Sequence, residues 1–239
     1  MMGMYQLLAQ ILVLVMFPAT TDVKSLGAKL EARYRGAHTL KATFLERFSE
    51  NGQVVRSEAG TAYFRRPGKM RREYESPEKN IFLVDGKTAW FYVPADHTVT
   101  RAPAKQSSDW RTPLALLAGE MKLSRICKRI EESTTIKPDN GNDWVLNCLL
   151  RGAQENLKGG AADSGNLPDS AQEESVFLEV VPANGDLASV VVREKGGVEI
   201  EFKFADWQFD PPVTDSYFRF DVPRGVAIVN GENPSASRP

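Results

Sequence analysis

Few residues in this chain are of the types that usually carry out chemistry, and their spacing matches no catalytic or metal-binding pattern. The two histidines, His38 and His97, each stand alone, and a surface position explains them better than a role as base or ligand. The sequence contains no H-x-x-x-H, G-x-S-x-G or G-x-x-x-x-G-K-[ST] pattern. The acidic pairs Glu131-Glu132 and Glu173-Glu174 lie at a strand end and in a loop, where solvation accounts for them. We therefore predict that the chain is not an enzyme and holds no metal or cofactor.

The two cysteines are placed so that they would meet across a hairpin. Cys127 and Cys148 lie almost symmetrically about the turn sequence K-P-D-N-G at 137–141, within predicted strands at 122–132 and 143–151. A hairpin there would bring the two sulfur atoms side by side, and exported proteins favour disulfides. The alternative is a pair of free, buried thiols. The chain has no C-x-x-C motif, so redox catalysis is not indicated.

Composition places the chain among ordinary globular proteins and excludes one class of partner. Of its 239 residues, 42% are hydrophobic and 26% are charged. The net charge is −1 and the pI is about 6.2, so there is no basic excess with which to bind nucleic acid. The length suits a single all-β domain.

The amino end resembles a secretory signal peptide. The apolar run L-L-A-Q-I-L-V-L-V-M-F at 7–17 is followed by the small residues of P-A-T-T at 18–21. We predict a signal peptide at 1–21, a single exported domain at 22–230 and a disordered polar tail at 231–239. The alternative for the apolar run is a buried amphipathic helix.

The segment from Gly60 to Pro94 has the clearest strand and turn signals. Asp85-Gly86 predicts a two-residue type I′ turn, which pairs Leu83 with Thr88 and Ile81 with Trp90. Side chains alternate along a strand, so the hairpin has two faces. The face that we predict to be interior carries Ile81, Leu83, Trp90 and Tyr92, and the other carries Phe82, Val84, Lys87, Ala89 and Phe91.

Helical signals occur at two places. Apolar residues at helical spacing predict an amphipathic helix that ends near Gly36; they are Val23, Leu26, Leu30 and Tyr34. Thr112 as N-cap and Pro113 at the first helical position predict a short second helix that ends at Gly119. This second helix is apolar on nearly every side, so we expect it to be deeply buried or to lie over an apolar ligand.

The rest of the chain consists of short strand segments separated by turn residues. Asn51-Gly52, Asn184-Gly185 and Gly196-Gly197 are further hairpin signals, and residues 152–174 are predicted to form a flexible surface loop. We count about ten or eleven strands and two or three helices. The pattern predicts a mainly β fold, a strongly curved sheet or incomplete antiparallel β-barrel, rather than an α/β fold.

A curved sheet with apolar side chains on one face can enclose a cavity or pack into an ordinary core. Burial of an acyl chain in such a cavity is favourable by ~0.8 kcal/mol per methylene, so a ligand of this kind needs no catalytic group. Composition does not distinguish the two possibilities.

Several blocks in order resemble the outer-membrane lipoprotein carrier family, the LolA-like periplasmic chaperones. The blocks are D-V-K-S-L-G-A-K-L at 22–30, L-K-A-T-F at 40–44, R-P-G-K-M-R at 66–71, Y-E-S-P at 74–77, I-F-L-V-D-G-K-T-A-W-F-Y-V-P at 81–94, S-S-D-W-R-T-P-L-A-L-L-A-G at 107–119 and F-R-F-D-V-P-R-G-V at 218–226. The resemblance implies an incomplete β-barrel closed by a helical lid over an apolar cavity. It implies a carrier that receives acylated lipoproteins from an inner-membrane ABC transporter and takes them across the periplasm to an outer-membrane acceptor. We expect a monomer.

The resemblance also implies roles for particular residues. Arg66 matches an arginine that holds the lid of the empty cavity closed; alone, it would be taken for a surface arginine near a turn. The acyl-chain cavity is expected to be lined by Met70, Arg72, Tyr74, Ile81, Leu83, Trp90 and Tyr92, and the lid helix to include Pro113, Leu114 and Leu117.

Two features depart from the family pattern. Arg72 stands where the family usually has a tryptophan, so this wall is expected to be more polar or to meet a head group. The 152–174 loop is longer than the family suggests. Both features keep a related lipid-binding or lipoprotein-sensing regulatory module open as the alternative function. An exported hydrolase would need a set of catalytic residues that the sequence does not indicate.

Overall fold

The computed structural model describes residues 22–104, 114–119, 122–151, 175–194 and 196–231. The predicted signal peptide, Pro113, the 152–174 loop and the tail after Gly231 lie outside these residues. The described chain forms one twelve-stranded sheet with three short or medium α-helices against it. None of the helices in this part of the chain is long and apolar enough to cross a bilayer.

The elements follow one another as a helix, a run of strands, two short helices and a second run of strands. The helices are α1 (Val23–Arg35), α2 (Leu114–Ala118) and α3 (Leu123–Ile126), with 3₁₀ turns at Pro94–Asp96 and Asp215–Phe218. The strands are β1 (Thr39–Glu50), β2 (Gln53–Arg65), β3 (Lys69–Ser76), β4 (Ile81–Val84), β5 (Thr88–Val93), β6 (Thr98–Pro103), β7 (Cys127–Glu132), β8 (Trp144–Leu150), β9 (Ser175–Val180), β10 (Leu187–Arg193), β11 (Val198–Phe209) and β12 (Ala227–Asn230).

The strands form a single open sheet. Their order is β12-β6-β5-β4-β3-β2-β1-β11-β10-β9-β8-β7, so β12 and β7 are the two edges and the sheet does not close on itself. Every neighbouring pair is antiparallel except β12 with β6. The prediction of a mainly β fold built on an unclosed antiparallel sheet is confirmed.

Helix α1 begins and ends where the sequence predicts. The Asp22 carboxylate accepts a hydrogen bond from the Ser25 backbone N–H at 2.7 Å, which caps the amino end. The predicted apolar stripe faces the sheet, since Leu26, Leu30 and Tyr34 are buried. The helix ends at Gly36.

The two strongest hairpin signals correspond to different turns. Asn51 and Gly52 both have positive φ, at 50° and 79°, as a two-residue type I′ turn requires. At the second signal only Gly86 has positive φ, and the Asp85 carboxylate instead accepts hydrogen bonds from the backbone N–H groups of Lys87 and Thr88, both at 2.8 Å. This wider loop pairs Val84 with Ala89 and Leu83 with Trp90. Leu83 was predicted to pair with Thr88, so the observed register differs by two residues.

Strand β2 requires a glycine at position 60, where its backbone lies close to that of β3. A Cβ atom at Gly60 would lie 1.9 Å from the carbonyl oxygen of Glu73 on the neighbouring strand. The register of the two strands shifts at this point, between Ala59 and Gly60. Such an irregularity increases the local twist and helps the sheet to curve.

The β7–β8 hairpin carries a disulfide. Cys127 and Cys148 are bonded, with their Cα atoms 5.3 Å apart, so the pairing favoured by the hairpin prediction is the one the structure contains. The first part of the predicted strand at 122–132 is instead helix α3. The bond ties the edge strand β7 to its neighbour.

Candidate functional site

One face of the sheet, together with α1 and α2, encloses a large apolar cluster that we call the interior. It includes Leu26, Leu30 and Tyr34 of α1, Leu114 and Leu117 of α2, and Phe44, Phe64, Met70, Tyr74, Phe82, Val84, Leu146, Leu178, Val190 and Phe202 of the sheet. These side chains come from both halves of the chain, because the sheet curves around them. The interior is therefore the candidate site for an apolar ligand.

The structure corrects the predicted interior face of the hairpin formed by β4 and β5. Phe82 lies directly opposite Arg72 on β3 and opposite Phe91 on β5, so these three side chains share the interior face. The predicted set falls on the other face, where Leu83 lies opposite Arg71 and Trp90. Ile81, Leu83, Trp90 and Tyr92 are consequently not part of the interior, whereas Met70, Arg72 and Tyr74 are on its side of β3.

A distant segment explains why the outer face of this hairpin is also apolar. The 3₁₀ turn at Asp215–Phe218 contacts β3, and Phe218 is fully buried. The ring of Phe220 stacks on Trp90 and lies beside Tyr92, with both centroid distances 5.5 Å. The Trp90 indole N–H also donates to the Asp85 carboxylate at 3.2 Å. The residues predicted to face the interior thus hold the carboxyl-terminal segment in place.

A charged cluster lies within the apolar interior. Arg72 Nη1 donates to Glu46 Oε2 at 2.9 Å, and the Tyr74 hydroxyl donates to the same oxygen at 2.9 Å. The side chains of Arg72 and Glu46 are only 1% and 8% exposed. The guanidinium carbon lies 4.6 Å from the ring centroid of Phe82 and 5.2 Å from that of Phe202. The cation thus has an anion beside it and aromatic faces around it.

Arg66 binds the carboxyl end of α1. Its Nη1 donates to the backbone carbonyls of Tyr34 at 2.6 Å and of Arg35 and Ala37, both at 3.0 Å. Carbonyls at a helix end lack partners within the helix, and a guanidinium suits them because it is a fixed, charged donor. Burial lowers the pKa of Arg66, and the negative charge of Asp210 partly offsets this effect. In the described part of the chain, the predicted latch therefore holds α1 rather than α2.

Other groups hold α2, the predicted lid helix, and the neighbouring helix α3. The backbone N–H of Gly68, in the turn next to Arg66, donates to the carbonyl of Ala118 at the end of α2 at 2.8 Å. The Glu31 carboxylate of α1 accepts from the backbone N–H of Leu123 in α3 at 2.7 Å. Leu114 and Leu117 of the predicted lid are fully buried, and Pro113 lies outside the described residues.

Sequence reasoning overlooked two members of the site. Glu46 was not singled out, although it follows Leu40, Ala42 and Phe44 at the two-residue spacing of one strand face. An acidic residue on an otherwise apolar strand face indicates that its carboxylate is buried and bound by a polar or charged partner. Phe202 has no comparable signal in the sequence. Its contact with Arg72 depends on the curvature of the sheet, which brings β11 near β3.

Comparison with known proteins gives a consistent result. Residues 35–143 match the family described as outer membrane lipoprotein carrier protein LolA. The outer-membrane lipoprotein carrier protein of Nitrosomonas europaea is 27% identical over 225 residues, which cover 92% of this chain and 96% of that protein. The corresponding protein of Chromobacterium violaceum is 28% identical over 206 residues, covering 86% and 87%. These relatives are named as carrier proteins, which agrees with the prediction that the chain is not an enzyme.

A solved structure shares the fold. An uncharacterized conserved protein from Thermus thermophilus aligns with 87% of this chain and 98% of its own, with a TM-score of 0.50 and 14% sequence identity. Identity this low supports the architecture alone.

The buried pair makes a clear prediction for stability. Glu46→Met should destabilise the protein by about 3 kcal/mol, because it removes the buried carboxylate to which both Arg72 and Tyr74 donate. The double substitution Arg72→Met with Glu46→Met should restore the free energy of unfolding to within about 1.5 kcal/mol of the wild type, since two apolar side chains suit this environment. Urea denaturation of the three proteins measures both values. A double variant as unstable as the single one would show that the pair itself is required for folding.

Proposed function

This chain is a distant homologue of the LolA outer-membrane lipoprotein carrier proteins, and we propose that it binds the acyl chains of lipoproteins in its interior and carries them from the inner to the outer membrane. This proposal rests on the extent of the sequence similarity between this chain and the carrier proteins. It spans 92% of the chain and 96% of the Nitrosomonas europaea relative, so it includes the strands and helices on every side of the interior.

The chemistry of the interior supports acyl binding. Its side chains are almost entirely apolar, and the transfer of each methylene out of water contributes ~0.8 kcal/mol. Leu114 and Leu117 of α2 contribute to the same cluster, so α2 is the proposed lid. When α2 moves away, an acyl chain can replace the contacts that these leucines lose. Carriage then needs no chemical step.

The proposed setting is the periplasm. The Cys127–Cys148 disulfide suits an oxidising compartment, and residues 1–21 would be the signal peptide that leads there. Residues 22–230 would form the single carrier domain, followed by the tail at 231–239. The proposed partners are acylated lipoproteins, an inner-membrane ABC transporter that releases them and an outer-membrane acceptor, with the carrier acting as a monomer.

A regulatory lipid-binding module is the second candidate. The observation that favours it is the Arg72–Glu46 pair, because a wall that only shields hydrocarbon has no need of buried charges. A module of this kind would hold a small free lipid as a signal.

Native mass spectrometry of the protein purified from the periplasm tests the proposed function. Coexpression with a lipoprotein should give a one-to-one complex, and the same cargo with its acylated cysteine changed to alanine should give none. A small free lipid in place of the cargo would favour the regulatory module. Absence of both ligands would contradict the proposal.

Two neighbouring aromatic residues on β5 distinguish the two faces of the sheet. Phe91 packs against the interior beside Tyr74, whereas Tyr92 contacts Phe220 on the outer face. Phe91→Gln should weaken binding of an acylated peptide about tenfold, because a polar amide replaces part of the apolar wall. Tyr92→Gln, the matched control, should change the dissociation constant less than about twofold. Isothermal titration calorimetry measures both constants, and equal losses would exclude the interior as the binding site.

Arg66 should affect release more than binding. Arg66→Leu removes three hydrogen bonds that hold the end of α1 in the cargo-free state, so the loaded state becomes relatively more favourable. The variant should bind an acylated peptide at least as tightly as the wild type and release it about fivefold more slowly, as measured by stopped-flow transfer of a fluorescent peptide to lipid vesicles. Arg65→Leu is the control, because Arg65 binds the carbonyl of Val213 instead. Unchanged release by Arg66→Leu would remove this residue from the latch.

A further inference from the structure

The first half of strand β2 has an edge that no described strand covers. Strand β2 begins at Gln53, but β3 pairs with it only from Ala59 onward. Among the strands that the structure describes, β1 alone pairs with residues 53–58. At the usual rise of a strand, this edge is about 20 Å long. It presents backbone N–H and C=O groups with which a further strand can pair.

The way in which β3 ends produces this edge. The register of β2 and β3 shifts between Ala59 and Gly60, and an irregularity of this kind can terminate pairing. Pro77 follows the last residue of β3, and proline has no N–H with which to continue a ladder. Strand β3 therefore leaves β2 here, while β2 continues beside β1.

The stretch that continues alone is exposed and partly apolar. Val54 and Val55 are 58% and 55% exposed, more than any other large apolar side chain in the described residues. Val55 lies at a register shift with β1, and Arg56 forms an ion pair with Glu58 at 3.1 Å. Proteins use such irregularities and charges to limit uncontrolled pairing at an edge. These features protect the edge against aggregation but do not fill it.

This edge begins where the apolar interior ends. On the interior face of β2, Phe64 and Ala62 are buried, and Gly60 and Glu58 follow at the two-residue spacing of the same face. The wall thus changes from apolar to charged at the point where β3 leaves. A ligand with its hydrocarbon in the interior and a polar chain attached to it would have that chain beside this edge.

We propose that the polypeptide segment following the acylated cysteine of the cargo adds to the sheet as an extra strand along residues 53–58 of β2. This inference rests on the proposed function, which places the acyl chains in the interior. The position of the edge beside the interior favours the cargo over a second copy of this chain. Any sequence can make backbone hydrogen bonds, so one edge would serve lipoproteins with different sequences. The added strand would also cover part of Val54 and Val55.

Alternation along the strands indicates which backbone groups are available. Glu50 and Gln53 flank a two-residue turn and therefore form a hydrogen-bonded pair. Alternation along β1 then directs the backbone groups of Arg47 towards β11. Ser57 lies opposite Arg47, so the N–H and C=O of Ser57 point away from β1. These groups lie on the edge that the cargo strand would use.

Ligands that differ only in their peptide part test the strand pairing. All contain a dipalmitoylglyceryl cysteine: a short ligand without further residues, a peptide, and two forms of this peptide that carry N-methyl groups on one or the other alternate set of residues. Only one alternate set faces a neighbouring strand. For the wild type, one N-methylated peptide should bind about tenfold more weakly than the unmodified peptide, and the other within about twofold of it. Isothermal titration calorimetry measures the constants.

A substitution on the protein tests the same edge. Ser57→Pro removes the N–H that points away from β1, a place where an edge strand tolerates proline. The variant should bind the unmodified peptide about tenfold more weakly than the wild type and the short ligand within about twofold of it. Near-ultraviolet circular dichroism establishes that the variant is folded; if it is not, the two N-methylated peptides decide.

The outcomes distinguish this inference from the proposed function. Equal binding of the two N-methylated peptides by the wild type, or unchanged peptide binding by folded Ser57→Pro, would overturn the added strand and leave acyl carriage intact. A wild-type dimer that Ser57→Pro abolishes, seen by analytical ultracentrifugation, would assign the edge to a second copy and also overturn the inference. Failure of the wild type to bind any of the acylated ligands would overturn both the inference and the proposed function.

Discussion

Each strand of the sheet presents alternate side chains to opposite faces, and in β4 and β5 both faces carry large apolar groups that must be removed from water. On one side, α1 and α2 cover them and complete the interior. On the other side, the segment around Phe218 and Phe220 covers them. Strands β4 and β5 are therefore a middle layer between the interior and the carboxyl-terminal segment.

The coverings of the two faces are held by different contacts. The outer one combines a buried Phe218 with the stacking of Phe220 and a bond from the Tyr217 hydroxyl to Glu73 at 2.7 Å. Burial and the bond to Glu73 raise the pKa of Tyr217, so this hydroxyl remains a donor even above the pH at which a free tyrosine ionises. The inner covering includes α2, a helix of five residues fastened at its end by the backbone bond from Gly68. A bond of this kind contributes about 1 kcal/mol, and the burial of Leu114 and Leu117 adds to it.

The charged cluster gives this interior a defined polar point. An interior of apolar contacts alone would accept hydrocarbon in many positions, because dispersion and hydrophobic burial are not directional. The hydrogen bonds of Arg72 with Glu46, and of Glu46 with Tyr74, are directional and fix the guanidinium between strands β1 and β3.

Much of the architecture was predictable because it depends on local signals. The helix capped by Asp22, the turn at Asn51-Gly52, the neighbouring cysteines and the run of antiparallel strands all follow from residues close together in the chain. The interior face of the β4–β5 hairpin was predicted wrongly because alternation defines two faces without saying which is inside, and here both are apolar. The choice depended on Phe218 and Phe220, more than a hundred residues further along the chain. In the same way, the sequence by itself determined that Arg72 would be an unusual residue on a sheet of apolar strands. Only the tertiary structure brought Glu46, Tyr74 and Phe202 around it. The reason is that a buried charge interacts with groups on whichever strands the curvature of the sheet places beside it.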